Sequence, residues 1–287
     1  MGNGSVTAVG VIGSGIMGAG IAEVAARNGC DVLVREVTPE LAAAGRDRIA
    51  ASLERAVSKG KLAAEDRDAA LARIRTTAAL ADLSDRELVI EAITEHEPTK
   101  TALYRELGDV VGPDCVLASN TSSIPISRLA AVTARPERVL GMHFFNPVVV
   151  LPLVELVPAL LTAQSTVDTA RAFAEDRLGK KTVLCKDRAG FVVNALLVPY
   201  LLSAIRMVEA GVATAEDVDT AMVGGANHPM GPLALADLIG LDTCAAVAAS
   251  MYDEYKEPLY AAPPLLSRMV EAGLLGRKTG RGFFDHR

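Results

Sequence analysis

Val6-Thr7-Ala8-Val9-Gly10-Val11-Ile12-Gly13-Ser14-Gly15-Ile16-Met17-Gly18 is the stretch on which the reading of this chain turns. Its first seven residues, rich in valine and isoleucine, predict a short buried strand. A small-residue run to about Asn28 predicts a helix, and Asp31 to Arg35 a second strand. The glycines fall at the joint between strand and helix. Gly13 permits a tight turn, Gly15 lets a pyrophosphate approach the backbone, and Gly18 lets helix and strand pack closely. Ser14, Ile16 and Met17 complete the loop, and the first helical N–H groups carry partial positive charge toward a phosphate. A bare G-x-G-x-x-G is a weak signal; here the strand, the helix and an acid at the end of the second strand, Glu36, accompany it. Glu36 would accept hydrogen bonds from ribose hydroxyls and repel a 2′-phosphate, which favours NAD. Arg35 is either a solvated strand-end cation or a partner for such a phosphate.

Outward from this opening, Leu41, Gly45, Ile49, Leu53 and Val57 recur every fourth residue and predict a helix over Pro39 to Lys61 with one narrow packing face. Arg46, Arg48, Arg55, Lys59 and Lys61 lie off that stripe. A further helix is expected over Ala64 to Arg73. Brief β-rich runs follow at Leu88 to Ala92, Cys115 to Ser119, Arg138 to Met142, Leu153 to Val157 and Lys181 to Cys185, the last two bracketing a helix from about Thr166 to Leu178. Strands alternating with helices predict an α/β domain built on a doubly wound, mostly parallel sheet. After Asp187 the pattern becomes helical: Gly190 to Ala210, Thr214 to Val223, Pro232 to Tyr252 and Pro264 to Ala272. The expected domains are therefore residues 1–187 and an all-helical 188–287.

The chain has 287 residues, 50% hydrophobic and 22% charged, enough for one large or two ordinary cores. A net charge of −6 gives no global field for nucleic acid or an anionic membrane, so neither is expected as a partner. Cys30, Cys115, Cys185 and Cys244 lie far apart in apolar contexts and read as small buried hydrophobes, with no metal-type spacing. Met1 to Thr7 has no basic leader-like region, and the longest apolar stretch, Phe191 to Ile205, is interrupted and too short to span a bilayer. A cytoplasmic protein is the expectation.

Two features point to chemistry. His143 lies in Met142-His143-Phe144-Phe145-Asn146-Pro147, and Glu155 follows twelve residues later in an apolar run. An isolated histidine is most often a half-buried residue near a strand end. Beside a dinucleotide fold, however, a neutral-pH base with a carboxylate able to orient it is the minimum equipment for oxidising an alcohol. Ser119-Asn120-Thr121-Ser122-Ser123 follows a predicted strand at a carboxyl end of the sheet, where ligands bind. Such a run is commonly a loop or helix cap; here its hydroxyls are candidate partners for a substrate oxygen.

Together, the glycine fingerprint, Glu91-Ala92-Ile93-Thr94-Glu95 with Lys100, the Ser119–Ser123 run, the His143–Pro147 run with Glu155, and Lys186 to Asn194 resemble the L-3-hydroxyacyl-CoA dehydrogenases. His228-Pro229-Met230-Gly231-Pro232, Gly240-Leu241-Asp242 and Gly276 to Phe283 extend the likeness over essentially the whole chain, in family order. It is most similar to the short, stand-alone bacterial 3-hydroxybutyryl-CoA dehydrogenases. The resemblance implies a Rossmann-type NAD domain followed by a helical domain for substrate binding and dimerisation. It implies His143 as base, Glu155 as its orienting carboxylate, and Ser122 and Asn194 at the substrate's oxygens. Glu95, Lys100, Ser122, Asn146 and Lys278 match cofactor contacts; Ser52, Lys59 and Ser122 match contacts to the CoA part of an acyl-CoA. The chain departs from the common pattern at Pro152, Ala189 and Ala195.

The expected reaction is reversible oxidation of a (3S)-3-hydroxyacyl-CoA, of short chain, by NAD in a homodimer. Two other classes bear weighing. A dehydrogenase of free 3-hydroxy acids or sugar acids has no use for Lys59, and a catalytically silent NAD-binding or structural protein would have lost His143 or Glu155.

Overall fold

The computed structural model describes residues 6–287; residues 1–5, on which most of the leader reading rests, lie outside the described residues. The opening stretch forms β1 (Ala8–Ile12) and α1 (Ile16–Arg27), followed by β2 (Asp31–Arg35), α2 (Pro39–Ser58) and α3 (Ala64–Ala72). Then come β3 (Ile74–Thr77), β4 (Leu88–Glu91), α4 (Glu97–Val110), β5 (Val116–Ser119), α5 (Ile126–Ala130), β6 (Val139–Phe144), β7 (Leu153–Pro158), α6 (Gln164–Ala172) and β8 (Lys181–Leu184). One eight-stranded sheet runs in the order β3-β2-β1-β4-β5-β6-β7-β8. Every neighbouring pair is parallel except β6 and β7, which are antiparallel. The doubly wound, mostly parallel α/β sheet is thus as the sequence pattern predicts.

The central strands are buried on both faces because helices cover both, so they read as apolar runs instead of alternating ones. Val11, Val32, Ile49, Leu53, Ile90 and Leu140 lie in the resulting core. The strand order reverses between β1 and β4, which opens a crevice at their carboxyl ends. Gly13, Glu95, the Ser119–Ser123 run and His143 all lie at or just beyond carboxyl ends of parallel strands, along one edge of the sheet.

Four local expectations fail in this unit. β3 was not expected: its four residues, Ile-Arg-Thr-Thr, carry only one buried apolar side chain, so an edge strand leaves little signal. α2 stops at Ser58, before Lys61, and Gly60 turns the chain at φ +64°. Leu41 is exposed, and its neighbour Ala42 takes the core position. Cys185, following the exposed edge strand β8, is half-buried, whereas the other three cysteines are buried.

The chain divides into two compact units, up to Arg188 and from Ala189 to Arg287. The second is helical: α7 (Val193–Glu209), α8 (Ala215–Ala226), α9 (Pro232–Ile239), α10 (Leu241–Tyr255) and α11 (Pro264–Glu271). Leu201, Leu202, Ile205, Leu233, Leu241 and Met251 form its core. Pro232 to Tyr252, expected as one helix, is two: Gly240 sits at φ +103° and the axes bend by 94°. A residue with a Cβ rarely adopts that φ, so the glycine sets the break. Phe191, expected inside α7, precedes it. Among the described residues no single helix is long and apolar enough to cross a membrane.

Candidate active site

The glycine loop is locked from two sides. A Cβ on Gly13 would stand 2.7 Å from the Ala92 carbonyl oxygen, and one on Gly18 would stand 1.8 Å from that of Gly13, whereas at Gly15 nothing lies within 4 Å. The middle glycine therefore leaves open space at the N-terminus of α1, the cradle a pyrophosphate requires. Ser14 N and Oγ donate to Glu36 Oε1 at 2.5 and 2.8 Å. The Ser14 carbonyl accepts from Arg48 of α2. Gly45 makes that approach possible, because a Cβ there would meet Ser14 Oγ at 2.2 Å. Glu36, read from sequence as a ribose ligand, thus spends one oxygen on the loop itself; Oε2 accepts a long 3.3 Å bond from Val37 N. Ile16 is exposed at the start of α1, and Met17 packs against the core.

The antiparallel step between β6 and β7 sets His143 directly opposite Glu155. The imidazole Nδ1 lies 2.7 Å from Glu155 Oε2. His143 is 6% exposed and Glu155 not at all. A carboxylate so deeply buried requires a donor, and the ring N–H supplies one, which fixes Nδ1 as the protonated nitrogen and Nε2 as the basic one. The Phe145 ring packs at 4.5 Å, tilted by 58°. Burial, with the Glu155 charge adding to it, pushes the Cys185 thiol up to about 12, so it stays protonated.

Beneath the serine run lies a charge network, buried at Glu91 and Lys100 and open at Glu95, whose side chain is 36% exposed. Lys100, on α4, is 1% exposed and donates to Glu91 Oε1 at 2.7 Å and pairs with Glu95 Oε2 at 3.0 Å. Glu95 Oε1 accepts from the Thr121 hydroxyl, from Ser122 N and Ser123 N at 3.1 and 3.2 Å, and from Ser123 Oγ at 2.8 Å. Asn120 Oδ1 accepts from Phe144 N at 2.9 Å, joining the run to β6 beside His143. The half-buried Ser122 hydroxyl takes no part in this network. Burial opposes ionisation of Glu95, but the Lys100 charge and the Thr121 and Ser123 hydrogen bonds outweigh it and hold its carboxyl below the usual range. Glu91 and its bonds to Lys100, to Ile93 N (2.8 Å) and from Ser119 Oγ (2.7 Å) were not foreseen. The apolar strand around Glu91 was the available signal, since a buried acid demands partners.

The basic face expected on α2 is only partly available. Arg46 is turned to the Ile74 carbonyl and Arg48 to Ser14. Arg55, Lys59 and Lys61 are exposed, with Lys59 at the helix C-cap. Half-buried Ser52 and exposed Asn146 line a cleft of about 230 Å³ together with Arg48, Arg55, Ile16 and Glu23. In the second unit, Asn194 sits half-buried in the first turn of α7, and Lys278 pairs with Asp242 at the start of α10. Asp237, not foreseen, is buried and accepts from Phe283 N and Phe284 N at 2.9 Å each, and it meets His286 Nε2 at 2.8 Å.

A doubly wound sheet with an open glycine cradle is the frame of a dinucleotide-binding protein, and here a buried histidine–carboxylate pair stands at neighbouring strand ends. Residues 8–188 match the NAD binding domain of 3-hydroxyacyl-CoA dehydrogenase, and residues 190–286 match the C-terminal domain of the same enzymes. The chain belongs to the 3-hydroxyacyl-CoA dehydrogenase family. It is 60% identical to a 3-hydroxybutyryl-CoA dehydrogenase of Mycobacterium tuberculosis, over 98% of this chain and 99% of that protein. It is 45% identical to one from Bradyrhizobium diazoefficiens, over 97% and 95%. The crystal structure of (S)-3-hydroxybutyryl-CoA dehydrogenase PaaH1 from Ralstonia eutropha superposes with a TM-score of 0.94 at 43% identity, over 99% of this chain and 100% of that one. This is an NAD-dependent oxidoreductase of 3-hydroxyacyl-CoA, and its family places it in fatty acid metabolism.

Proposed function

We propose that the substrate is short, (3S)-3-hydroxybutyryl-CoA, oxidised reversibly to acetoacetyl-CoA with His143 as the base. The observation that carries this reading is the 2.7 Å pair between His143 Nδ1 and Glu155 Oε2. His143 Nε2 takes the C3 hydroxyl proton, and Glu155 fixes the tautomer and stabilises the imidazolium by charge. In the reverse direction the same nitrogen returns the proton to the ketone oxygen. Bound NAD supplies the acceptor for the C3 hydride. The Gly13–Gly18 loop, with Glu36, would hold its pyrophosphate and adenosine ribose, while Glu95 and Asn146 stand at strand ends suited to its nicotinamide half.

The Ser122 hydroxyl holds the substrate's C3 oxygen, and Asn194 and Lys278 take substrate and cofactor roles by family likeness. Ser52 and Lys59 contact the CoA moiety; the exposed Arg55 and Lys59 suit its phosphates. The short acyl chain follows the names of the relatives. NADH oxidation with acetoacetyl-CoA and with longer 3-ketoacyl-CoAs tests it: kcat/KM is expected to be highest for the four-carbon substrate, and a maximum at eight or more carbons overturns the assignment.

A homodimer and a cytoplasmic location, with neither membrane nor nucleic acid as partner, complete the proposal. Leu196 is 73% exposed and Val212 66%, and Leu238 and Leu259 are also exposed in the helical unit, apolar surface of the kind a second copy covers. A one-chain mass by light scattering at micromolar concentration counts against the dimer.

A further inference from the structure

The reaction as derived makes no use of Glu23, an acid on α1 that is only 2% exposed. Its one partner among the described residues is Arg27, whose Nη1 lies 3.5 Å from Oε1, beyond the usual range of an N–H···O bond. Oε2 receives no donor from the described residues. A carboxylate so deeply buried requires donors, and the fold supplies little. Glu23 lines the cleft formed with Ser52 and Arg55 of α2 and with the loop from Asn146 to Val149. Gly20, one turn earlier, brings α1 against that loop: a Cβ there would stand 2.9 Å from Val148 Cβ.

The chemistry of this cleft sets the register of a ligand within it. Its volume is about 230 Å³. That is below the ~300–1,000 Å³ of pockets that enclose a drug-sized molecule, so it takes an extended arm and not a whole coenzyme. Arg55 lines it from α2, and Lys59 follows one turn on; both suit phosphates. A carboxylate repels phosphate and attracts N–H donors. The arm of coenzyme A between thioester and diphosphate is uncharged and carries amide N–H groups. We infer that Glu23 is a substrate-binding residue that accepts a hydrogen bond from an amide N–H of this arm, the phosphates lying toward Arg55 and Lys59. The inference rests on the proposed placement of CoA along α2. Glu23 thereby gains the donor that the fold withholds, and it discriminates CoA esters from thioesters that lack the arm.

Glu23→Met and Glu23→Gln test it, by NADH Kd from fluorescence and by kcat and KM with three substrates: acetoacetyl-CoA, acetoacetyl-pantetheine and an acetoacetyl thioester of a simple alkyl thiol. Methionine keeps the length and removes the acceptor. Glutamine keeps an acceptor oxygen and removes the charge that faces Arg27. Glu23→Met is expected to raise KM for the CoA and pantetheine esters by about tenfold, the scale of one hydrogen bond to a charged group. Its kcat and NADH Kd should stay within about threefold of the unmodified values, the mark of lost uniform binding. With the alkyl thioester its kcat/KM should match that of the unmodified enzyme. Glu23→Gln is expected to hold KM within about threefold, because an acceptor remains. Equal rises of KM in the two variants assign Glu23 to the Arg27 ion pair and overturn the inference. A native KM in Glu23→Met overturns it too, as does a KM raised as much for the alkyl thioester as for the CoA ester. Should Glu23→Met fail to fold, the unmodified enzyme gives the answer with an acetoacetyl-pantetheine whose amides are N-methylated. A KM about tenfold above that of the parent ester is then expected, and an equal KM overturns the inference. An unmodified enzyme that turns over the alkyl thioester as well as the CoA ester shows instead that the cleft does not hold CoA, and the inference falls with that reading.

Discussion

The histidine pair and the serine run stand at the ends of neighbouring strands, yet they are built by opposite means. His143 and Glu155 face each other because β6 and β7 are antiparallel and in register, so two residues and one ladder suffice. Beyond its first two residues the serine run has no ladder. There its backbone is held by the Glu95 carboxylate from the loop after β4, which pairs with a lysine from α4, and that lysine is also bonded by Glu91 of β4. A site fixed by strand register depends on few side chains and fails sharply when one is removed. A site fixed by a buried charge network spreads its dependence over several residues.

The sharpest test of this contrast is His143→Ala. Loss of a general base is expected to lower kcat with acetoacetyl-CoA by about 10²–10⁴, leaving NADH affinity nearly intact. Glu155→Gln is expected to slow turnover less, since the amide still engages the ring while losing its charge. A His143→Ala enzyme with near-native kcat would falsify the dyad.

The glycine loop offers a test of intermediate size. Alanine at Gly45 brings a Cβ to 2.2 Å from Ser14 Oγ, and overpacking of this kind costs about 1–3 kcal/mol, partly offset by the better helix propensity of alanine. NADH affinity is expected to fall by about tenfold, although Gly45 lies on α2, outside the fingerprint. An unchanged Kd means that Ser14 moves aside freely and the lock contributes nothing.

The smallest expected effect is a pH dependence. Glu95 is held below its usual 4.5; burial opposes this most, and Lys100 and the hydroxyls of Thr121 and Ser123 overcome it. A folded-state value below the unfolded one gives stability that is complete above the unfolded value and lost as pH falls through the folded one. Between neutral pH and 4.5 the Tm of the unmodified chain and of Glu95→Gln should run in parallel; below 4.5 the unmodified chain should fall more steeply. Parallel curves down to the acid limit would show that Glu95 gains nothing from its partners.

Much of the site was legible without coordinates. The glycine spacing, the acid after β2, and the histidine and glutamate in apolar runs are local patterns whose chemistry follows from residue type. β3 escaped notice because an edge strand need not be apolar. The break at Gly240 did so because an apolar run continues across it while the backbone turns. The basic face of α2 was overcounted, since helical periodicity tells which residues leave the core and not which long side chains fold back to bond a loop.

The sequence by itself determined the alternation of strands and helices, the cradle at Gly13–Gly18, the family, and the two residues of the dyad, because each rests on short-range spacing or on motifs in order. Tertiary structure alone decided that Lys100 is buried between Glu91 and Glu95, that Glu36 and Arg48 hold Ser14, and that Gly45 is small for the sake of that serine. These contacts join residues 5 to 34 positions apart, brought together only when strands and helices pack. Desolvation then decides which charges must find partners, and no periodicity in the chain records that choice.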